Sequence, residues 1–135
     1  MPGTLRYGVG VSTALTDGIR VQVRSAFRPD RSEPGRALFT YTIRIANEGG
    51  APARLVSRRW IITDARGERE VVVGDGVVGH QPRLGPGEEF EYTSYCVLRT
   101  PHGSMSGSYR MVRDDGTSFD AEIAAFMLVV PGGLN

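Results

Sequence analysis

Apolar and polar residues alternate with a period of two through almost every segment between Gly18 and Val130. Ile19, Val21, Val23 and Phe27 share one parity against Arg20, Gln22 and Arg24, which predicts a strand with one buried and one solvated face. Phe39, Tyr41, Ile43 and Ile45 alternate with Thr40, Thr42 and Arg44 in the same way. Phe90, Tyr92, Cys96 and Leu98 oppose Glu89, Glu91 and Thr93, and Met105, Gly107, Tyr109 and Met111 oppose Ser104, Ser106, Ser108 and Arg110. Two further runs break step. Leu55 and the pair Trp60 and Ile62 fall on opposite parities, which predicts a bulge near Ser57 to Arg59. Beyond Thr117, Phe119, Ala121 and Ile123 give way to Phe126, Leu128 and Val130, which predicts another near Ala124 or Ala125. A short strand is expected from Glu68 to Val73, after the turn Asp64-Ala65-Arg66-Gly67.

No segment sustains apolar residues at spacings of three and four, so no helix longer than a turn or two is expected. About seven half-buried strands, separated by Gly- and Pro-containing turns, need a facing sheet to cover their apolar faces. The fold class is therefore all-β: an immunoglobulin-like or fibronectin-III-like antiparallel β-sandwich, with a small barrel as the alternative. Leu84-Gly85-Pro86-Gly87 resembles the turn that leads into a late strand of fibronectin-III domains, with Phe90 where that pattern carries a Tyr. Residues 1–17 are expected to be a flexible N-terminal arm, residues 18–131 a single domain and residues 132–135 a tail.

Composition narrows the function classes. A chain of 135 residues buries roughly 68% of its unfolded surface as one domain, so it needs no metal or disulfide to hold its core. The single cysteine cannot form an internal disulfide, which suits a reducing, cytoplasmic setting. No apolar run is long enough for a membrane-spanning helix, and the N-terminal stretch does not read as a secretion signal. All 16 basic residues are Arg, but 15 acids bring the net charge to +1, so nucleic acid is not an expected partner.

The residues also match a family pattern. Asn47, Gly49 and Pro52 are followed by Leu55 and Arg58-Arg59-Trp60-Ile61-Ile62-Thr63, and then by Gly74-Asp75-Gly76-Val77-Val78-Gly79 with Gln81-Pro82. Next come Pro86-Gly87-Glu88, Tyr92-Thr93-Ser94, Thr100-Pro101, Gly103, Met105, Gly107, Tyr109 and Met111, and the ending Phe126, Leu128, Pro131. The chain resembles the ApaG family from about Gly18 to Pro131. That resemblance implies a fibronectin-III-like sandwich with no established catalytic activity. It also implies a link with cobalt and magnesium tolerance in the bacterial members, and a protein-binding role in related domains appended to F-box and polymerase-delta-interacting proteins.

Gly74, Gly76 and Gly79 satisfy GxGxxG, but no helix follows to receive a pyrophosphate, and Val77, Val78 and Pro82 do not suit one. The glycines are expected to permit positive φ in a crossing between sheets, with a phosphate-holding loop as the alternative. The two histidines, His80 and His102, with one buried thiol do not make a metal cage. Asp75, Asp114 and Asp115 read as turn residues, so neither a metal nor a cofactor is expected. Ser94, Ser104, Ser106 and Ser108 have no adjacent base, and Glu88 and Glu89 point to opposite faces, so no catalytic residue is assigned and the chain is not expected to be an enzyme. Arg20, Arg24 and Arg44 are a candidate basic stripe that Glu89 and Glu91 could offset. Arg54, Arg58 and Arg59 flank Trp60, on which one of them could stack, while Trp60 itself is expected in the core.

The expected function is a non-enzymatic interaction module that offers loops or a sheet edge to a protein partner. Its candidate surface is Gly74, Asp75, Gly76, Gly79, His80 and Gln81 with an adjacent turn at Thr100 to Gly103. Binding of pyrophosphate or a nucleotide phosphate at residues 74–79 is the alternative, and a cobalt- or magnesium-linked accessory role is a third. Exposed sheet edges would also permit a homo-oligomer.

Overall fold

The computed structural model describes residues 10–132. Nine strands follow one another: β1 (Val11–Thr16), β2 (Ile19–Phe27), β3 (Ala37–Asn47), β4 (Ala53–Asp64), β5 (Arg69–Asp75), β6 (Arg83–Leu84), β7 (Glu89–Leu98), β8 (His102–Arg113) and β9 (Ser118–Val129). One 3-10 turn, Pro29–Arg31, interrupts them. The strands form two antiparallel sheets ordered β1-β2-β3-β7 and β5-β4-β8-β9, with β6 also paired to β4. The expected two-sheet sandwich is what the chain adopts, and each of the seven expected strands is present.

The alternation places the core as expected. Ile19, Val21, Phe39, Ile43 and Ile45 from one sheet meet Leu55, Tyr109, Met111, Ala121, Ile123 and Leu128 from the other, all of them inaccessible or nearly so. Burial stabilises each such large side chain by about 1.5–3 kcal/mol. Trp60 lies at the centre, with Tyr41 at 5.3 Å, Phe126 at 6.0 Å and Tyr109 at 6.4 Å between ring centroids. Both expected irregularities occur. In β4 the partners jump from Leu55↔Met111 to Ser57↔Arg110, so the extra residue is Val56, one position before the expected range. In β9, Ala124 and Ala125 together oppose Ser106.

Two strands depart from the expectation. Residues 11–16, expected within a flexible arm, form β1 on the edge of the first sheet; residues 1–9 lie outside those described. Its larger apolar residues, Val11 and Leu15, face solvent, while Ser12, Ala14 and Thr16 face inward, an inversion of the usual pattern that hid the strand. Asp17 and Gly18, with φ of 47° and 84°, make the two-residue turn into β2. β6 has only two residues, too few to show a period.

The two long sides of the sandwich differ. On one, β1 and β2 pack against β9. There Gly10 donates to the buried Ser25 hydroxyl at 2.9 Å, which itself donates to the Met127 carbonyl at 2.8 Å, stitching the sheets together. On the other, β5 and β7 end their sheets with no further strand beside them among the described residues.

Candidate functional site

The Gly-rich segment leaves β4 where Asp75 opposes Ser57 and returns where Arg83 opposes Arg54. Between these points it makes a tight loop. Val77 and His80 exchange two backbone hydrogen bonds of 2.8 Å around Val78 (φ 41°) and Gly79 (φ 83°). Gly76 has φ 59°, and a Cβ there would lie 2.3 Å from the His80 carbonyl oxygen, so only glycine fits without displacing the turn. The Gly76 N–H and the Gln81 Nε2 both donate to the carbonyl of bulged Val56 at 2.9 Å. The N–H groups of Gly76, Val77 and His80 are therefore already bonded to carbonyls. His80 packs on Phe90 at 5.7 Å, and Val77 is fully buried between the sheets.

The loop's carbonyls gather around Arg58, whose Nη1 donates to Asp75 O and Gly76 O at 2.8 Å each. Unlike Gly76 and Gly79, Gly74 does not serve the expected positive φ, because it lies extended within β5; instead it makes room for this side chain, since a Cβ there would lie 2.7 Å from its Nη2. Arg58 stands at the mouth of a groove along the open side, between β7 and β5. One part, about 200 Å³, is lined by Tyr41, Trp60, Val77, Val78, Tyr92 and Ser94 together with Arg58. It shares Tyr41, Arg58, Trp60 and Ser94 with a second part of about 280 Å³ that continues past Cys96 and Met105 to Glu70 and Val97. Arg58 was expected only as one of three neighbours of Trp60. Among the described residues the ring that carries a guanidinium is Phe119, with Arg113 4.6 Å from its centroid.

The groove floor is uncharged. Burial raises the Tyr41 phenol, an effect its hydrogen bond with Ser94 opposes. Burial likewise raises Tyr92 and Tyr109, whose hydroxyls bond to each other, and pushes the Cys96 thiol up to about 11. A thiol held so firmly in its protonated form is a weak nucleophile at neutral pH. Among the described residues, no three His, Cys, Asp or Glu side chains come together as ligands for one ion.

The remaining sequence candidates lie apart. Arg20 and Arg44 do project from one sheet face, but Arg20 is paired with Glu48 at 2.7 Å, and Arg44 holds Glu89 through two nitrogens and Gln22 through a third contact at 2.7 Å. Arg24 is exposed opposite Thr42. The offset expected from Glu89 and Glu91 comes from Glu89, diagonal to Arg44, although Glu91 is its direct register partner. The turn Thr100 to Gly103 is not adjacent to the Gly-rich loop, which corrects the expected surface. Gly103 opposes Asp64 whereas Asp75 opposes Ser57, seven residues or about 23 Å apart along β4. That distant end carries its own cavity of about 370 Å³, walled mainly by Phe27, Pro29, Pro34, Ala37, Pro101 and Val130.

The ApaG domain family's sequence profile matches residues 28–113. Protein ApaG of Anaeromyxobacter dehalogenans is 75% identical over 125 residues, covering 93% of this chain and 100% of that protein. Protein ApaG of Stenotrophomonas maltophilia is 56% identical over 119 residues, covering 87% and 94%. A crystal structure of a Bordetella pertussis protein given the name ApaA superposes with a TM-score of 0.82 at 47% identity, covering 84% of this chain and 94% of that one.

Proposed function

The chain belongs to the ApaG family, and on that premise we propose that it is a non-catalytic module that binds a partner protein along the open side of its sandwich, between β5, the Gly-rich loop and β7. One observation carries this reading. Of the seven exposed large apolar side chains among the described residues, Val78 in the loop and Tyr95 on β7 border the groove, and Val71 and Val73 flank it from the outer face of β5, all four beside two sheet edges that lack a neighbouring strand. Natural sheets usually guard such edges with Lys, Pro or a bulge. The charges of β5 and β7 sit toward their ends, leaving residues 71–74 and 92–98 without a charged residue or Pro, and their register with β4 and β3 runs without a break. Edges of this kind accept an added strand.

The loop supports the partner surface in a different way from a phosphate cradle, because its Gly76, Val77 and His80 N–H groups are bonded to carbonyls and its Asp75 and Gly76 carbonyls hold Arg58. We place the protein in the cytoplasm on the strength of its lone, buried thiol. The test is capture of a partner from cell lysate by the wild-type chain, by a Val71→Lys, Val73→Lys variant and by a Tyr95→Lys variant. Both variants should retain the wild-type melting temperature and lose the partner. Retention of the partner by both would contradict the proposal.

A further inference from the structure

Arg58 has a guanidinium anchored at one nitrogen only. Its Nη1 serves the Asp75 and Gly76 carbonyls, while Nε and Nη2 have no hydrogen-bond partner among the described residues. A guanidinium carries five N–H donors and matches a carboxylate in geometry and charge. In the smaller part of the groove Arg58 is the sole charged wall residue, set among Tyr41, Trp60, Val77, Val78, Tyr92 and Ser94. At the far end of the larger part stands the acid Glu70, which has no ion-pair partner among the described residues. On β4, Arg58 and the Glu70 partner Ile62 are four residues apart, which in a strand is about 13 Å. Between the two charges the floor is Trp60, Tyr41, Cys96 and Met105.

Resting on the open-side reading above, we propose that the groove takes an extended partner segment with an acidic residue at Arg58, an apolar residue over Trp60 and a basic residue at Glu70, the acid and base four positions apart. The length of the groove favours a peptide. Its wall on β7 runs from Tyr92 to Val97, five steps or about 17 Å of extended chain. The period of two then sets the spacing, since residues i, i+2 and i+4 of an added strand face the same side. The positive and negative ends of the groove fix which charges the segment must bring.

Trp60, the only tryptophan in the chain, reports occupancy. The acetylated, amidated peptide Asp-Thr-Leu-Thr-Arg should shift its fluorescence saturably, and the neutral peptide Asn-Thr-Leu-Thr-Gln should bind at least about tenfold more weakly, a difference of 1.4 kcal/mol. Arg58→Gln and Glu70→Gln should each remove most of the preference. Because Arg58 also braces the loop, Glu70→Gln, an exposed change with no hydrogen bond or ion pair to lose among the described residues, keeps the test sound if Arg58→Gln fails to fold. Equal binding of the two peptides, binding of neither at millimolar concentration, or a Trp60 signal that changes with protein concentration alone, as a second copy in the groove would cause, overturns the proposal. If the peptides fail while the lysate partner still depends on Val71, Val73 and Tyr95, the charge pattern falls and the open-side reading stands. If capture ignores those residues, the open-side reading falls.

Discussion

Val78 has φ 41° and a side chain 54% exposed. A β-branched residue crowds its own backbone in that region, at a cost on the order of 1–3 kcal/mol, and here it gains little burial in return. Asn tolerates the same conformation, so Val78→Asn should stabilise the fold by about 1 kcal/mol while weakening partner capture. Chemical denaturation checks the first effect, and a loss of stability would mean that Val78 is not strained. The core roles of Trp60 and Cys96 were readable from alternation alone. Arg58 was not, because its place on the same side as Trp60 depends on the bulge falling at Val56 and on a loop whose carbonyls reach back from Asp75 and Gly76. No local pattern encodes that contact.

Six strands were legible because each carries apolar residues on one face and polar residues on the other, and β5, with Val71, Val72 and Val73 on both faces, was legible from the turn that precedes it. β1 escaped because it sits at an edge with small residues inward, although the Asp17-Gly18 pair was a hairpin signal in plain sight. Its attachment closes one side of the sandwich through Ser25, whose hydroxyl serves both Gly10 N–H and Met127 O. Ser25→Ala leaves both groups without a partner in a buried setting and should destabilise the fold by about 1–3 kcal/mol. It should also raise amide exchange across Val11–Thr16 more than across Arg69–Asp75. Uniform exchange in the two strands would show that Ser25 does not hold the closed side. Toward the open side the Tyr92 and Tyr109 hydroxyls join β7 to β8 in the interior, but among the described residues no strand covers the outer edges of β5 and β7, which is why they remain available.

For the whole molecule, the Arg-rich composition resolves into local pairs. Arg20, Arg28, Arg44, Arg83 and Arg110 each meet a carboxylate at the surface, where such pairs contribute little to stability. The larger pH dependence lies in the core. The folded chain holds the Cys96 proton to about 11 against an ordinary value of 9.0, and burial shifts Tyr92 and Tyr109 in the same direction. These contributions are complete below pH 9 and are lost as pH rises toward 11 and beyond. Denaturation midpoints should therefore hold steady from neutral pH to about 9 and then fall, and a midpoint unchanged at pH 11 would contradict the buried, neutral core. The positions of the loops were beyond sequence reasoning for a topological reason: residues 74–81 and 100–103 are close along the chain yet sit at different levels of β4. A partner seated along the open side should show itself in hydrogen exchange on the complex with the captured protein. Added protection is expected in Glu89–Leu98 and Arg69–Asp75 with β1 and β9 unchanged; protection confined to β1, β9 or residues 99–103 would place the partner elsewhere and refute open-side binding.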